Sequence, residues 1–111
     1  MQSKVKFAEE KAMKQFIRLS YGDNQERTIH KEITKAVEHI EKNAYCGVQY
    51  PKRLIPRYYI KRHNITNLWK YNLPDGWRLI YTIKAQDAQV ISLLLEWFDH
   101  KDYEKRFNYL I

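Results

Sequence analysis

Apolar residues recur along this chain with two rhythms, a helical one in the first part and a strand-like one in the second. Val5 and Phe7 alternate with polar neighbours, which predicts a short first strand over Lys4–Phe7. Ala12, Met13, Phe16 and Ile17 then fall on one face of a helix over residues 8–19. Gly22 is the expected stop, and Asp23 or Asn24 the N-cap of the next helix. That helix is expected over residues 25–44, because Ile29, Ile33, Val37, Ile40 and Ala44 step by four, four, three and four residues. Lys31, Glu32, Lys35, Glu38 and Lys42 form its solvent face, to which His30 and His39 also belong. The two histidines are nine residues apart and lack the i, i+4 spacing of a helical metal site, so no metal is expected.

Periodicity fades over residues 47–64, which carry Pro51 and Pro56 and read as an irregular connection with a possible helical turn at Arg57–His63. Residues 67–103 restore it and organise the chain: two β-rich runs, 68–73 and 77–84, flank Pro74-Asp75-Gly76 as a hairpin. A two- or four-residue turn sets Tyr71 opposite Arg78, and a three-residue turn sets Asn72 there; the choice decides whether Lys70 shares a face with Arg78. Gln86-Asp87-Ala88 is the next turn, and Gln89–Phe98 reads as a central strand, apolar on both faces. Strict alternation puts Ser92 and Glu96 on one face, expected to be open, and Ile91, Leu93, Leu95 and Trp97 on the other, under the helices. A short terminal helix capped by Asp99 or Asp102 should follow, packed back by Phe107, Leu110 and Ile111. The expected class is α+β: a small antiparallel sheet of three to four strands against an N-terminal helical hairpin, with a short C-terminal helix.

At 111 residues the chain is expected to form one domain, residues 1–111, and its 16 aromatic residues supply a core. No apolar run approaches membrane-spanning length, and the charged amino terminus does not resemble a secretory signal. A lone cysteine, Cys46, rules out an internal disulfide and suits a reducing, cytoplasmic setting. The net charge of +7 is localised. Between Glu41 and Asp75 there is no acidic residue, while Lys42, Lys52, Arg53, Arg57, Lys61, Arg62 and Lys70 are positive; the other 13 cations are matched by 13 acids. Tyr45, Tyr50, Tyr58, Tyr59 and Trp69 are interleaved with those cations, a combination suited to a polyanion such as RNA. The plainer reading is a solvated basic loop or a surface for an acidic protein.

A helical hairpin, then Trp77-Arg78-Leu79-Ile80-Tyr81-Thr82-Ile83, then an apolar strand ending in His100-Lys101-Asp102-Tyr103, resembles the RelE/ParE toxin superfamily. The resemblance covers the chain in element order and is most specific over residues 73–103. It implies the toxin of a type II toxin–antitoxin pair with a cognate antitoxin protein as partner. In the RelE-like branch such a toxin cleaves mRNA, typically on the ribosome, without a metal or other cofactor; in the ParE-like branch it inhibits gyrase. Carried over by position, Arg78 matches the strand arginine on the scissile phosphate, and residues 100–103 match the region of a second cationic or imidazole group and a carboxy-terminal tyrosine. Lys52, Arg53 and Lys70 fall where the family keeps lysines or a glutamate.

The chemistry of RNA cleavage makes these residue types reasonable. Attack by a ribose 2′-hydroxyl needs a base, an acid for the leaving oxygen, and cations for the charge growing on phosphorus. A strand-mounted guanidinium gives planar bidentate contact, which suits Arg78. His100, whose type titrates nearest neutrality, is the first candidate for proton transfer, with Glu96 a possible base if it faces the site. Tyr103 is placed to stack on a base or to orient the phosphate. Lys52, Arg53, Arg57, Lys61, Arg62, Lys70, Lys84 and Lys101 are the candidate RNA contacts. The structural counterparts are an ion pair of Arg78 with Glu96 or Asp75, a capping role for His100, and packing for Tyr103. Asp99, Asp102 and Glu104 depart from a fully basic site, which leaves a catalytically silent RNA-binding relative, or a gyrase inhibitor, as the alternative.

Overall fold

The two helical periodicities close into α1 (Glu10–Leu19) and α2 (Asn24–Lys42) in a computed structural model, which describes residues 1–108. Asp23 caps α2 with a full capping box: its side chain accepts from the Glu26 N–H, and the Glu26 carboxylate accepts from the Asp23 N–H. On α2 the stripe read from the sequence is buried, with Ile29, Ile33 and Ile40 against the sheet, Ala36 beside them and Val37 partly covered, whereas on α1 the expected core face is only partly so: Ala12 is buried and Phe16 half-buried, but Met13 and Ile17 are exposed. His39 is exposed as expected and contacts the Tyr71 hydroxyl. His30 is half-buried instead, its ring stacked 4.2 Å from that of Phe16.

The sheet has five strands in the order β1–β5–β4–β3–β2, made of β1 (Lys4–Phe7), β2 (Val48–Gln49), β3 (Trp69–Asn72), β4 (Arg78–Gln86) and β5 (Gln89–Phe98). The α+β class, the helical hairpin and the short C-terminal helix agree with the expectation; the sheet is wider and mixed. The additional strand is the edge β2, and the other edge, β1, lies where it was expected but pairs in parallel. β2 is only two residues long and joins β3, and β1 runs parallel to β5, with Phe7 opposite Leu94. A parallel pair needs a long crossover, supplied here by everything between the first strand and the last, and such pairing leaves no local sequence signal.

The β3–β4 connection is a three-residue turn. Leu73 N–H donates to Trp77 O, Pro74–Gly76 forms a tight 3-10 turn, and Asp75 and Gly76 take positive φ of 59° and 79°. Asn72 therefore pairs with Arg78 and Lys70 with Ile80, which puts Lys70 and Arg78 on one face.

A bulge in β5 changes the expected faces. Ile80 pairs with Glu96 but Tyr81 with Leu94, so Leu95 is an extra residue and the alternation breaks there. Leu94 and Trp97 face the helical hairpin, and so does Ser92, which meets Ser3 Oγ at 2.9 Å, itself a donor to Ile40 O. Leu95 and Phe98 face the opposite side, where Glu96 also points. The assignment of Leu95 with Trp97 against Ser92 with Glu96 is thus corrected.

The second face is not open either. Tyr50, Ile55, Tyr59, Leu68, Ile80 and Phe107 build a second core on it, under the turn Lys52–Leu54 and two further helices, α3 (Arg57–His63) and α4 (His100–Arg106). The segment expected to be mainly irregular is therefore a structured cover. Asp99 is the N-cap of α4, accepting from the Asp102 N–H at 2.9 Å, and Phe107 packs back as expected; Leu110 and Ile111 lie outside the described residues. Among the described residues no helix is long and apolar enough to cross a membrane.

The α2 stripe should dominate stability. Ile33→Ala, at a fully buried position, is expected to cost about 2–5 kcal/mol in denaturant unfolding. Ile17→Ala, at a position 47% exposed on α1, should cost under about 1 kcal/mol. Equal losses would contradict this core assignment.

Candidate nucleic-acid interface

Of the expected trio Arg78, His100 and Tyr103, the first and last meet, and Lys70 joins them in place of His100. Arg78 opens β4, Lys70 sits on the same face of β3, and α4 leans over that face with Tyr103 pointing down at it. The Arg78 guanidinium carbon lies 5.3 Å and the Lys70 ammonium 5.6 Å from the centroid of the Tyr103 ring. Phe107 stacks on the same ring at 4.6 Å and Phe98 meets it edge-on at 5.9 Å. With one ring stacked on it and two cations held over it, Tyr103 is engaged through its π faces. Its hydroxyl is 2.6 Å from that of Tyr50.

Arg78 is held by its own backbone neighbour, Nη1 donating to Trp77 O at 3.3 Å. Its Nε is buried without a hydrogen-bond partner among the described residues. Such an unfilled donor is costly unless an acceptor arrives. The ion pair with Glu96 that would have explained Arg78 structurally is not formed: Glu96 receives Arg106 Nε at 3.0 Å and Nη2 at 3.3 Å. Glu96 does face this side of the sheet, but both of its oxygens are engaged, so it is not a free base beside Arg78.

His100 stands at the rim. It is largely exposed at the start of α4 and pairs with Glu104 one turn on. It shares a helix face with Tyr103 at i, i+3. It also abuts the β3–β4 turn, since a Cβ on Gly76 would lie 3.3 Å from His100 Cβ. Asp99 is explained by capping, and Glu104 by its pairing with His100.

The remaining cations divide into three groups. Lys52, Arg53, Arg57 and Lys61 are exposed on the Lys52–Leu54 turn and α3, over the same sheet face as Arg78, and Lys101 is exposed on α4. Arg62 is engaged, its Nε and Nη2 each 2.9 Å from a Glu9 oxygen. Lys84 is exposed six residues along β4 from Arg78, roughly 20 Å away at strand rise. Neither Arg62 nor Lys84 joins the Arg78 cluster. No protein-family model, curated protein or solved structure matches the chain.

Sequence reasoning missed Arg106 and the role of Tyr50. Tyr50 was visible only as one of the rings among the basic residues. Nothing local marks Arg106, whose guanidinium lies 3.6 Å over the Tyr58 ring while it holds Glu96. With Glu9–Arg62, this pair fastens α3 and α4 to β5 and to the start of α1. Tyr59 lies beneath, its hydroxyl fully buried and its ionisation pushed far up, first by burial and then by the Glu96 charge. Arg62 holds the Glu9 carboxyl below its ordinary value, chiefly through their hydrogen bond. Burial holds His63 below its ordinary 6.5, against the opposing pull of Glu9 3.8 Å away.

A histidine with a depressed folded-state midpoint refuses a proton that the unfolded chain accepts. Stability should therefore fall as pH drops below about 6.5, and His63→Gln should flatten the stability–pH curve from there downward. The depressed Glu9 adds a loss of the same sign in the more acidic range, below 4.5, which the Gln variant retains. Denaturant midpoints of both proteins between pH 4 and 8, at roughly half-unit steps, check this; parallel curves would contradict it.

Proposed function

We propose that this protein is a RelE-like endoribonuclease, the toxin of a type II toxin–antitoxin pair, cleaving mRNA on the ribosome without a metal. The observation that carries the reading is the convergence of Arg78 and Lys70 on Tyr103, with the buried Arg78 Nε lacking an acceptor among the described residues. Two cations brought to one ring repel each other, and an anion between them relieves that repulsion; a scissile phosphate has the charge and the planar acceptor pair to do so. Arg78 and Lys70 then stabilise the charge developing on phosphorus, and Tyr103 orients it. His100, on the Tyr103 face of α4, is the group for proton transfer to the leaving 5′ oxygen or from the 2′-hydroxyl. The exposed cations Lys52, Arg53, Arg57 and Lys61 steer RNA toward that face. The cognate antitoxin is the expected protein partner, and the cytoplasm the expected setting.

One observation favours the second reading, a RelE/ParE-fold protein that acts by binding alone, on RNA or on gyrase: His100 is paired with Glu104 at the rim, and among the described residues no hydrogen bond or ring contact joins an imidazole to Arg78, Lys70 or Tyr103.

Expression should arrest growth with loss of mRNA, and Arg78→Ala should slow cleavage on the order of 100-fold, as expected for removal of a preorganised donor. His100→Ala should also relieve the arrest. Arrest unchanged in both variants would overturn these roles. Salt-sensitive RNA binding without cleavage would select the silent RNA-binding reading, and DNA-damage signalling with intact mRNA would select gyrase.

A further inference from the structure

The rings interleaved with the basic residues have separate fates. Tyr50, Tyr59 and Trp69 are buried, and Tyr58 lies under the Arg106 guanidinium. Tyr45 is 51% exposed, and the site around Arg78 makes no use of it. Its ring is stacked on that of Trp69, with centroids 5.5 Å apart and an interplanar angle of 28°; Trp69 is in turn stacked on Tyr81 at 6.1 Å and 27°. The two inner rings are buried, so this ladder is anchored in the core and ends in a tyrosine whose outer face meets solvent. The turn that carries Tyr45, Ala44–Cys46, is held from below. The Tyr81 hydroxyl donates to Ala44 O at 2.7 Å and accepts from the Gly47 N–H at 3.1 Å, while the Asn43 side chain accepts from the Tyr45 N–H at 3.1 Å. Gly47 lets the turn press against β3, since a Cβ there would lie 2.5 Å from Lys70 O.

We infer that Tyr45 is a stacking subsite for a nucleobase of single-stranded RNA whose phosphate is held by Arg78 and Lys70. The inference rests on RNA being the ligand of that cluster. Merely covering Trp69 would be served by any apolar side chain; a flat ring fixed on a second ring is what a base stacks on, whatever its sequence. Tyr45 also lies within the stretch that has no acidic residue, between the exposed Lys42 and the exposed Lys52 and Arg53. Val48 is the only other large apolar side chain exposed between residues 42 and 53, a patch sized for a base rather than for a protein face. Val48 pairs with Lys70, so the platform adjoins a cation of the phosphate site across the edge of the sheet. Both residues of that edge strand are exposed, and no described strand lies beyond it, which leaves a strand of RNA free to pass over.

The test sets the ring against the bases in a double-mutant cycle. Affinity is measured for a short 2′-O-methyl oligouridine, which has no 2′-hydroxyl to attack, and for an abasic strand of the same length and charge. Tyr45→Leu should weaken oligouridine binding roughly five- to tenfold, leave binding of the abasic strand unchanged and keep the salt dependence, because no phosphate contact is lost. Tyr45→Phe should bind as the parent does. An unaltered affinity of the Leu variant, or an equal loss on both strands, overturns the inference while RNA binding itself stands. A parent protein that binds neither strand removes the RNA reading and the subsite together. Urea unfolding identifies a damaged variant, and the parent protein supplies an independent measurement: light-induced crosslinking of 5-iodouridine RNA, mapped by peptide mass spectrometry, should mark Tyr45, and crosslinks confined to other residues overturn the inference.

Discussion

The extra residue at Leu95 governs how the two halves of the molecule share one sheet. Without it, strict alternation along β5 would send Leu95 to the helical hairpin with Trp97 and leave Ser92 and Glu96 as a polar open face. With it, Leu94 and Trp97 serve the core under α1 and α2, while Leu95 and Phe98 serve a second core under α3 and α4. A sheet apolar on both sides must be covered on both sides, and the basic connection and the terminal helix are the only described segments left to do it. Glu96, turned to that side by the bulge, takes Arg106 and so fastens α4 to the strand beneath. Through α4 the bulge determines where Tyr103 comes down.

The basic segment does two things at once. Its apolar residues Tyr50, Ile55 and Tyr59 are core, and its cations Lys52, Arg53, Arg57 and Lys61 stay in solvent above that core. The positive charge is thereby carried on a tight turn and a helix rather than on an irregular loop. Arg62 is the exception, drawn to Glu9 to fasten α3. Localised charge, a strand arginine with an unfilled donor, and a tyrosine held over it all lie on the same sheet face.

Much of the fold was legible because its signals are local. The step of Ile29, Ile33 and Ile40 marks the buried side of α2, Asp23 marks its start, and Pro74-Asp75-Gly76 marks the hairpin. Of the candidate site, Arg78, Lys70 and Tyr103 could be named from residue type and order, but their convergence depended on a register that sequence left open between two solutions. Glu96 could be named and not assigned, because its partner Arg106 is an ordinary helix cation until α4 docks. Lys84 was indistinguishable from Lys70 by type and is separated from it only by distance along the sheet.

By itself the sequence determined the α+β class, the positions of α1, α2 and α4, the long strands and the turns between them, and the confinement of the excess positive charge to one stretch, because propensity, periodicity and charge are properties of neighbouring residues. Only the tertiary structure decided the parallel placement of β1 beside β5, the bulge at Leu95, the closing of the second face, and the meeting of Arg78, Lys70, Tyr103 and Tyr50. Each of these joins residues distant in the chain, where the free energy comes from burial and pairing across the sheet and leaves no periodic trace in the sequence.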